Sequence, residues 1–169
     1  RQWRYGTGSD MLGYEANGNL PVRNFQGGRF PGVEKITAQV LCEKYVMKMD
    51  HCYGCPVRCK RVVKLEGPSG SDPVYGGPEY ETLAALGSNC GIDDLESLIK
   101  AAEICNRHGI DTISAGVAIS FAMECFEKGI LRREDTDGLD LTFGNAEAMV
   151  RMVEQIALRR GFGDLLAEG

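Results

Sequence analysis

The chain has 169 residues, 43% hydrophobic and 25% charged, a balance typical of globular domains and too apolar for a disordered segment. Its 19 Lys and Arg against 24 Asp and Glu leave a formal charge of −5, which argues against a nucleic-acid partner. No run approaches the ~20 apolar residues of a membrane span, and the polar opening Arg1-Gln2-Trp3-Arg4 resembles no secretory leader. An opening without Met leads us to expect a chain cut from something longer.

In chain order, Gly6-Thr7-Gly8-Ser9-Asp10 precedes a short helix to about Ala16, stopped by Asn17-Gly18. Leu20 to Phe25 reads as extended chain, because Pro21 disfavours helix at the residue before it. From Val33 to about Met47 the positions Ile36, Val40, Leu41, Tyr45 and Val46 recur at helical spacing. Residues 61–65 form a short strand, and Gly67 to Gly77, rich in Gly, Pro and Ser, forms a loop. Pro78 opens a helix over about 79–88. Asp93 to Arg107 carries one apolar stripe and ends at Gly109. Thr112 to Lys128 is apolar nearly all round and is expected to be central and buried. Asn145 to Arg159 is amphipathic, and a last short helix spans 163–167. The fold class expected is mainly α: one helical domain, 1–169, with a loop-rich N-terminal third.

Seven cysteines stand out. Cys52, Cys55 and Cys59 fall within eight residues, while Cys42, Cys90, Cys105 and Cys125 are scattered singly among apolar positions, as small buried hydrophobes are. That distribution suits a reducing compartment and a metal site better than a disulfide framework. A Cys-x-x-Cys-x-x-x-Cys spacing wraps one turn of chain about a metal centre, and zinc and iron–sulfur clusters both accept it. A zinc site would normally add a second close pair of ligands. His51 adjoins Cys52 too closely to be an easy fourth ligand, and the only other histidine is His108. Three ligands are therefore evident and a fourth is not.

Two further phrases carry chemistry. Glu79-Tyr80-Glu81 follows a Gly-Gly-Pro turn, where acidic residues favour a helix start and a partly buried carboxylate can serve as general acid or base. Asn106 to Ser114 joins two helices, and the exposed helix ends and the Asp111 carboxylate can grip a polar heterocycle.

Taken together, Leu20-Pro21-Val22-Arg23-Asn24-Phe25, the cysteine motif, Gly77-Pro78-Glu79-Tyr80-Glu81, Gly109-Ile110-Asp111-Thr112-Ile113-Ser114 and the closing Gly161 to Gly169 resemble the tungsten-containing aldehyde:ferredoxin oxidoreductase family. The phrases keep the family's order over nearly the whole chain. The resemblance implies the central helical domain of a larger three-domain enzyme, without its N-terminal cofactor domain and C-terminal domain, and so a stretch inactive by itself. It implies that Cys52, Cys55 and Cys59 ligate a 4Fe–4S cluster whose fourth cysteine lies in the C-terminal domain. It assigns Glu81 as the catalytic carboxylate, and Asn106, Gly109, Ile110 and Asp111 as contacts to a tungsten (less expectedly molybdenum) bis-pterin. The family pattern has Asp where this chain has Asn106, which keeps a hydrogen-bonding oxygen and loses the charge. Arg58, inside the motif, is a candidate for tuning the cluster. The implied reaction is oxidation of an aldehyde to a carboxylic acid with ferredoxin as acceptor. It would occur in the cytoplasm, with no nucleic acid or membrane as partner and with homo-oligomerisation open to the full-length protein. Reduction of an aromatic acyl-CoA ring by the same family is the alternative, and a small zinc-stabilised interaction domain is the alternative of another class.

Overall fold

A computed structural model describes residues 2–67 and 70–169. The two outer N-terminal helices are α1 (Gln2–Tyr5) and α2 (Met11–Ala16). Helix α3 (Ala38–Lys44) starts at Thr37, whose hydroxyl accepts the Val40 N–H. A two-stranded antiparallel ribbon follows, β1 (Val46–Asp50) with β2 (Lys60–Val63). The second half is helical: α4 (Tyr80–Thr82), α5 (Leu95–His108), α6 (Thr112–Glu127), α7 (Ala146–Leu158) and α8 (Phe162–Leu166). The expected fold class, mainly α with a loop-rich first third, is what the chain adopts.

One core joins the two halves. Ile36 and Leu41 from the first third meet Leu83, Leu86, Leu98, Ile99, Ile119, Met123 and Met149, all essentially solvent-free. Helix α5 packs on α7, and α7 on α8. The helices begin where short polar side chains cap them: Asp94 accepts from Ser97 N, Asp111 from Ser114 N, and Asn145 from Ala148 N. Gly109 closes α5 in the left-handed conformation, φ +68°.

Four expectations are corrected. The helix expected over Val33–Met47 is a single tight turn at Val33–Lys35, then α3, and Val46 already belongs to β1. Helical spacing there is overridden by pairing with a strand that arrives after the cysteine loop: Val46 sits opposite Val63, and Lys48, Met49 and Asp50 sit opposite Val62, Arg61 and Lys60, with an irregularity that leaves Met47 exposed. The extended chain expected to Phe25 ends at Val22. Arg23, Asn24 and Phe25 are all left-handed, φ +48°, +51° and +63°. The helix expected over 79–88 is α-helical only at Tyr80–Thr82, then π-helical over Leu83–Gly87 and 3₁₀ over Ser88–Cys90. Against this wide turn lies Gly116 of α6, where a Cβ would stand 2.6 Å from the Ala85 carbonyl carbon. Finally, α6 is buried along Ala115, Ile119, Ala122 and Met123 and bare along Ile113 and Phe121, so it is a surface helix in this chain. The loop expected over 67–77 contains a 3₁₀ turn at Pro73–Tyr75. Its Pro68 and Ser69, like Arg1 of the opening, lie outside the described residues.

Candidate active site around Glu81 and the cysteine hairpin

The Cys52–Cys59 motif forms the tip of the β1–β2 ribbon. Cys55 N–H donates to the Cys52 carbonyl at 3.0 Å, making the first turn. Gly54 and Arg58 take left-handed φ of +67° and +53°, folding the tip back. All seven cysteines are free thiols; Cys52 is exposed, Cys55 and Cys59 half-buried. Their donor type suits a thiolate-bound cluster. The tip does not close round a single ion, because among the described residues no three His, Cys, Asp or Glu side chains converge. Arg58 is exposed. Burial raises the thiol pKa of Cys42, Cys90 and Cys105, the last to about 11. Cys90 and Cys105 are buried as expected, whereas Cys42 and Cys125 are only half-buried.

Sequence reasoning missed Arg61. It is 1% exposed, and its guanidinium is spent on backbone carbonyls: Nε and Nη2 donate to Pro78 O at 3.0 and 2.7 Å, and Nη1 donates to Tyr5 O and, at 2.9 Å, to Thr7 O. Its Nη2 also lies 3.5 Å from Glu79 Oε2. Burial lowers its pKa, and Glu79 works in the opposite sense. The Thr7 hydroxyl completes the knot, accepting Tyr80 N–H at 2.8 Å and donating to Glu79 Oε2. One side chain, two residues past Cys59, therefore ties the N-terminal segment to the turn that carries Glu81. Gly6 is needed where they cross: its φ is +73°, and a Cβ there would stand 2.7 Å from Cys59 O. The readable signal was strand period. Arg61 shares a face with the buried Val63 while its neighbour Lys60 is exposed.

Glu81 is exposed in this chain, not partly buried as the sequence reading expected, and it lines two recesses. On one side lies a polar recess of about 380 Å³, formed by Gly6, Thr7, Gly8, Ser9 and Tyr14 with Tyr80 and Glu81. On the other lies an apolar pocket of about 170 Å³, formed largely by Pro21, Phe25, Ala84, Ala85, Ile113 and Val117, with Tyr80 and Glu81 at its edge. Tyr80 meets Tyr14 edge-on at 5.1 Å, and burial raises its phenol pKa, with Glu81 adding to the effect.

Of the four residues expected to contact a pterin, Asp111 lies near Glu81 in the chain's connectivity: Thr82 and Thr112, their immediate neighbours, are hydrogen-bonded at 2.9 Å. Ser114 donates through its hydroxyl at 2.7 Å and its N–H at 2.8 Å to Asp111, and these bonds lower the carboxyl pKa. Gly109 and Ile110 form the joint, with Ile110 N–H on Cys105 O at 2.8 Å. Asn106 points elsewhere. Its amide donates to Tyr75 O at 2.9 Å, on the wall of a separate cleft of about 700 Å³ between the ribbon and the Pro73–Gly77 segment.

The chain is thus a helical scaffold whose three-thiol hairpin is roped to a carboxylate turn, and the comparisons with known proteins show the family that shares it. The family model for "Aldehyde ferredoxin oxidoreductase, domains 2 & 3" matches residues 2–169, so the chain belongs to the aldehyde ferredoxin oxidoreductase family. It is 41% identical over 167 residues to the tungsten-containing aldehyde ferredoxin oxidoreductase of Pyrococcus furiosus, and 41% over 170 residues to that of Thermococcus kodakarensis. In both cases 98% of this chain is covered and 27% of the relative, so the chain spans about a quarter of their length. A third relative, 30% identical over 169 residues, is the WOR-like subunit of an aliphatic sulfonate oxidoreductase of Pyrococcus furiosus. Among solved structures, the BamBC active-site complex of benzoyl coenzyme A reductase with 1,5-dienoyl-CoA superposes with a TM-score of 0.68 at 25% identity, covering 90% of this chain and 22% of that one.

Proposed function

We propose that this chain is the part of a tungsten–pterin oxidoreductase that supplies the acid/base carboxylate and three cluster ligands for oxidation of an aldehyde to a carboxylic acid. The observation that carries this reading is the position of Glu81: a carboxylate on the rim between a polar and an apolar recess, its turn roped to the cysteine hairpin by Arg61 and Thr7. Cys52, Cys55 and Cys59 would furnish three thiolates of a 4Fe–4S cluster, and Gly109, Ile110 and Asp111, with Asn106 less directly, would border the pterin. The tungsten–pterin group supplies the two-electron redox chemistry and the cluster its single-electron outlet to ferredoxin.

This chain's own residues do the rest. Glu81 accepts a proton from water or from the hydrated aldehyde, and its place at a partly apolar rim suits that work. The Arg61–Thr7 knot fixes the start of α4, so that Glu81 is presented in one position. Among the described residues no helix is long and apolar enough to cross a membrane. Ring reduction of an aromatic acyl-CoA rests on a neighbour at 25% identity, against 41% for the aldehyde enzymes, and is the weaker reading. Family membership sets aside the zinc-domain reading.

The test uses the full-length protein, produced without oxygen in medium containing tungstate. The expected result is tungsten and iron in the purified protein and aldehyde-dependent reduction of a viologen dye. Protein that contains neither metal and reduces no dye would overturn the reading; molybdenum in place of tungsten would change only the metal.

A further inference from the structure

We propose that the pocket between the Arg23–Phe25 turn and the N-terminal half of α6 is a subsite for the hydrocarbon group of the substrate, sized for a compact apolar group no larger than one phenyl ring. The proposal rests on the reading of Glu81 as the acid/base, because Glu81 forms the polar edge of this pocket.

Three observations carry it. The first is the wall. Pro21, Ala84, Ala85, Ile113 and Val117 offer only hydrocarbon, and the nearest polar side chains are Glu81, Tyr80 and Asn89 at its margin. A substrate with its reacting carbon at Glu81 has its apolar group directed here. The second is size. The volume of about 170 Å³ is close to the about 150 Å³ apolar cavity that holds a benzene molecule. The small size has an identifiable source. Ala84 and Ala85 lie on the π-helical segment directly after Glu81, and α6 is drawn against it at Gly116. Single π-helical turns are frequent at functional sites.

The third observation is Phe25. Three consecutive left-handed residues present it, 66% exposed, at the pocket's edge. The turn is over-determined by its surroundings. Arg23 N–H and Asn24 N–H donate to Ser88 O and Asn89 O at 3.2 and 3.0 Å, and Phe25 N–H donates to Asn89 Oδ1 at 3.1 Å. The Asn24 amide donates to Glu124 at 2.6 Å, and Asn89 and Asn24 both meet the buried Ser120 hydroxyl. Strain that so many bonds hold in place, and that puts an aromatic ring in water beside an apolar pocket, is accounted for by a ring that covers a bound group. Phe25 and Val117 are therefore specificity-determining residues.

The test uses full-length enzyme and the ratio of kcat/KM for benzaldehyde to that for acetaldehyde. Val117→Phe fills the pocket and should lower the ratio at least ~10-fold, the scale on which apolar pockets discriminate. Val117→Ala enlarges it and should raise the ratio of 2-naphthaldehyde to benzaldehyde severalfold. Phe25→Ala should raise KM for benzaldehyde more than for acetaldehyde. Independently of turnover, benzamide should show saturation-transfer NMR contacts with metal-free full-length protein, lost in Val117→Phe. Ratios that move less than twofold in both Val117 variants, or benzamide contacts equal in wild type and Val117→Phe, overturn the subsite; either result is also what a pocket covered by another part of the full-length chain would give. If Val117→Phe is insoluble, Val117→Ala decides. A metal-loaded wild type that oxidises no aldehyde would count against the proposed function instead, and benzamide binding then decides the subsite alone.

Discussion

The cysteine hairpin and the carboxylate turn are built on opposite plans. The hairpin tip, 52–59, is held by its ribbon and by a backbone bond from Cys55 to Cys52, with Cys52 exposed and Cys55 and Cys59 half-buried. The carboxylate turn, by contrast, receives bonds from three directions: Arg61 on Pro78 O, Thr7 on Tyr80 N–H, and Thr112 on Thr82. The carboxylate turn is thus fixed within this chain, whereas among the described residues the hairpin thiols do not converge on a common point. The left-handed turn at Arg23–Phe25 follows the second plan. Left-handed conformation costs non-glycine residues about 1–2 kcal/mol each, and the bonds to Ser88, Asn89, Ser120 and Glu124 hold it.

The comparison predicts where damage is chemical and where it is structural. The largest effect is expected from Cys55→Ser in the full-length protein: iron is lost and dye reduction abolished while the fold persists, as iron analysis and circular dichroism would record; retained iron would remove Cys55 from the ligand set. Next, Glu81→Gln should lower turnover by about 10²–10⁴ with tungsten content unchanged, measured by steady-state kinetics and elemental analysis, whereas Glu79→Gln should cost less because Glu79 is engaged with Thr7 and Arg61.

Arg61→Met acts on stability first. It removes the guanidinium bonds to the Tyr5, Thr7 and Pro78 carbonyls, of which Tyr5 O keeps only the weak Cys42 thiol donor, and should cost about 3 kcal/mol, seen as a lower denaturation midpoint. Asp111→Ala should cost ~1 kcal/mol through loss of the α6 cap. Here the sign of the pH dependence is fixed. Bonds from Ser114 lower the Asp111 pKa in the folded state. The cap's contribution is therefore fully present above the unfolded carboxylate value of about 3.9 and is lost as pH falls through the lower folded value. Wild type and Asp111→Ala should converge in stability at strongly acid pH; a difference that persists there would mean the cap is not acting through its charge. The smallest effect is one of reactivity. In metal-free protein Cys52 should react with iodoacetamide at pH 8 well before Cys90 and Cys105, whose thiols burial holds protonated; mass-spectrometric mapping of the modified cysteines would check it.

Much of the helical half was legible in the sequence. Asp94, Asp111 and Asn145 stand where helix starts need short acceptors, Gly109 stands where α5 must stop, and the apolar stripes of α5 and α7 are the faces they bury on each other. The cysteine triplet stood out because ligand spacing is a local pattern, whereas Glu81 was separated from Glu79 only by the family resemblance. The β1 strand was not legible, since its pairing partner β2 lies on the far side of the cysteine loop and its own residues also fit a helical period. Nor was the surface position of α6, because an apolar sequence on every side does not say which side finds a partner.

By itself the sequence determined the kinds of donor, the starts and stops of α5, α6 and α7, and the family to which the chain belongs, all set by neighbours within a turn or two or by ordered motifs. Only the tertiary structure decided that Arg61 is the knot between the cysteines and the carboxylate. Only it decided that Asn106 turns away from Asp111 toward Tyr75, and that Phe25 stands in water over an apolar pocket. Each of these depends on groups 17 to 100 positions apart in the chain meeting within hydrogen-bond distance. Burial makes such meetings obligatory, because a guanidinium, an amide or a hydroxyl taken out of water must find its partner wherever the fold has brought one.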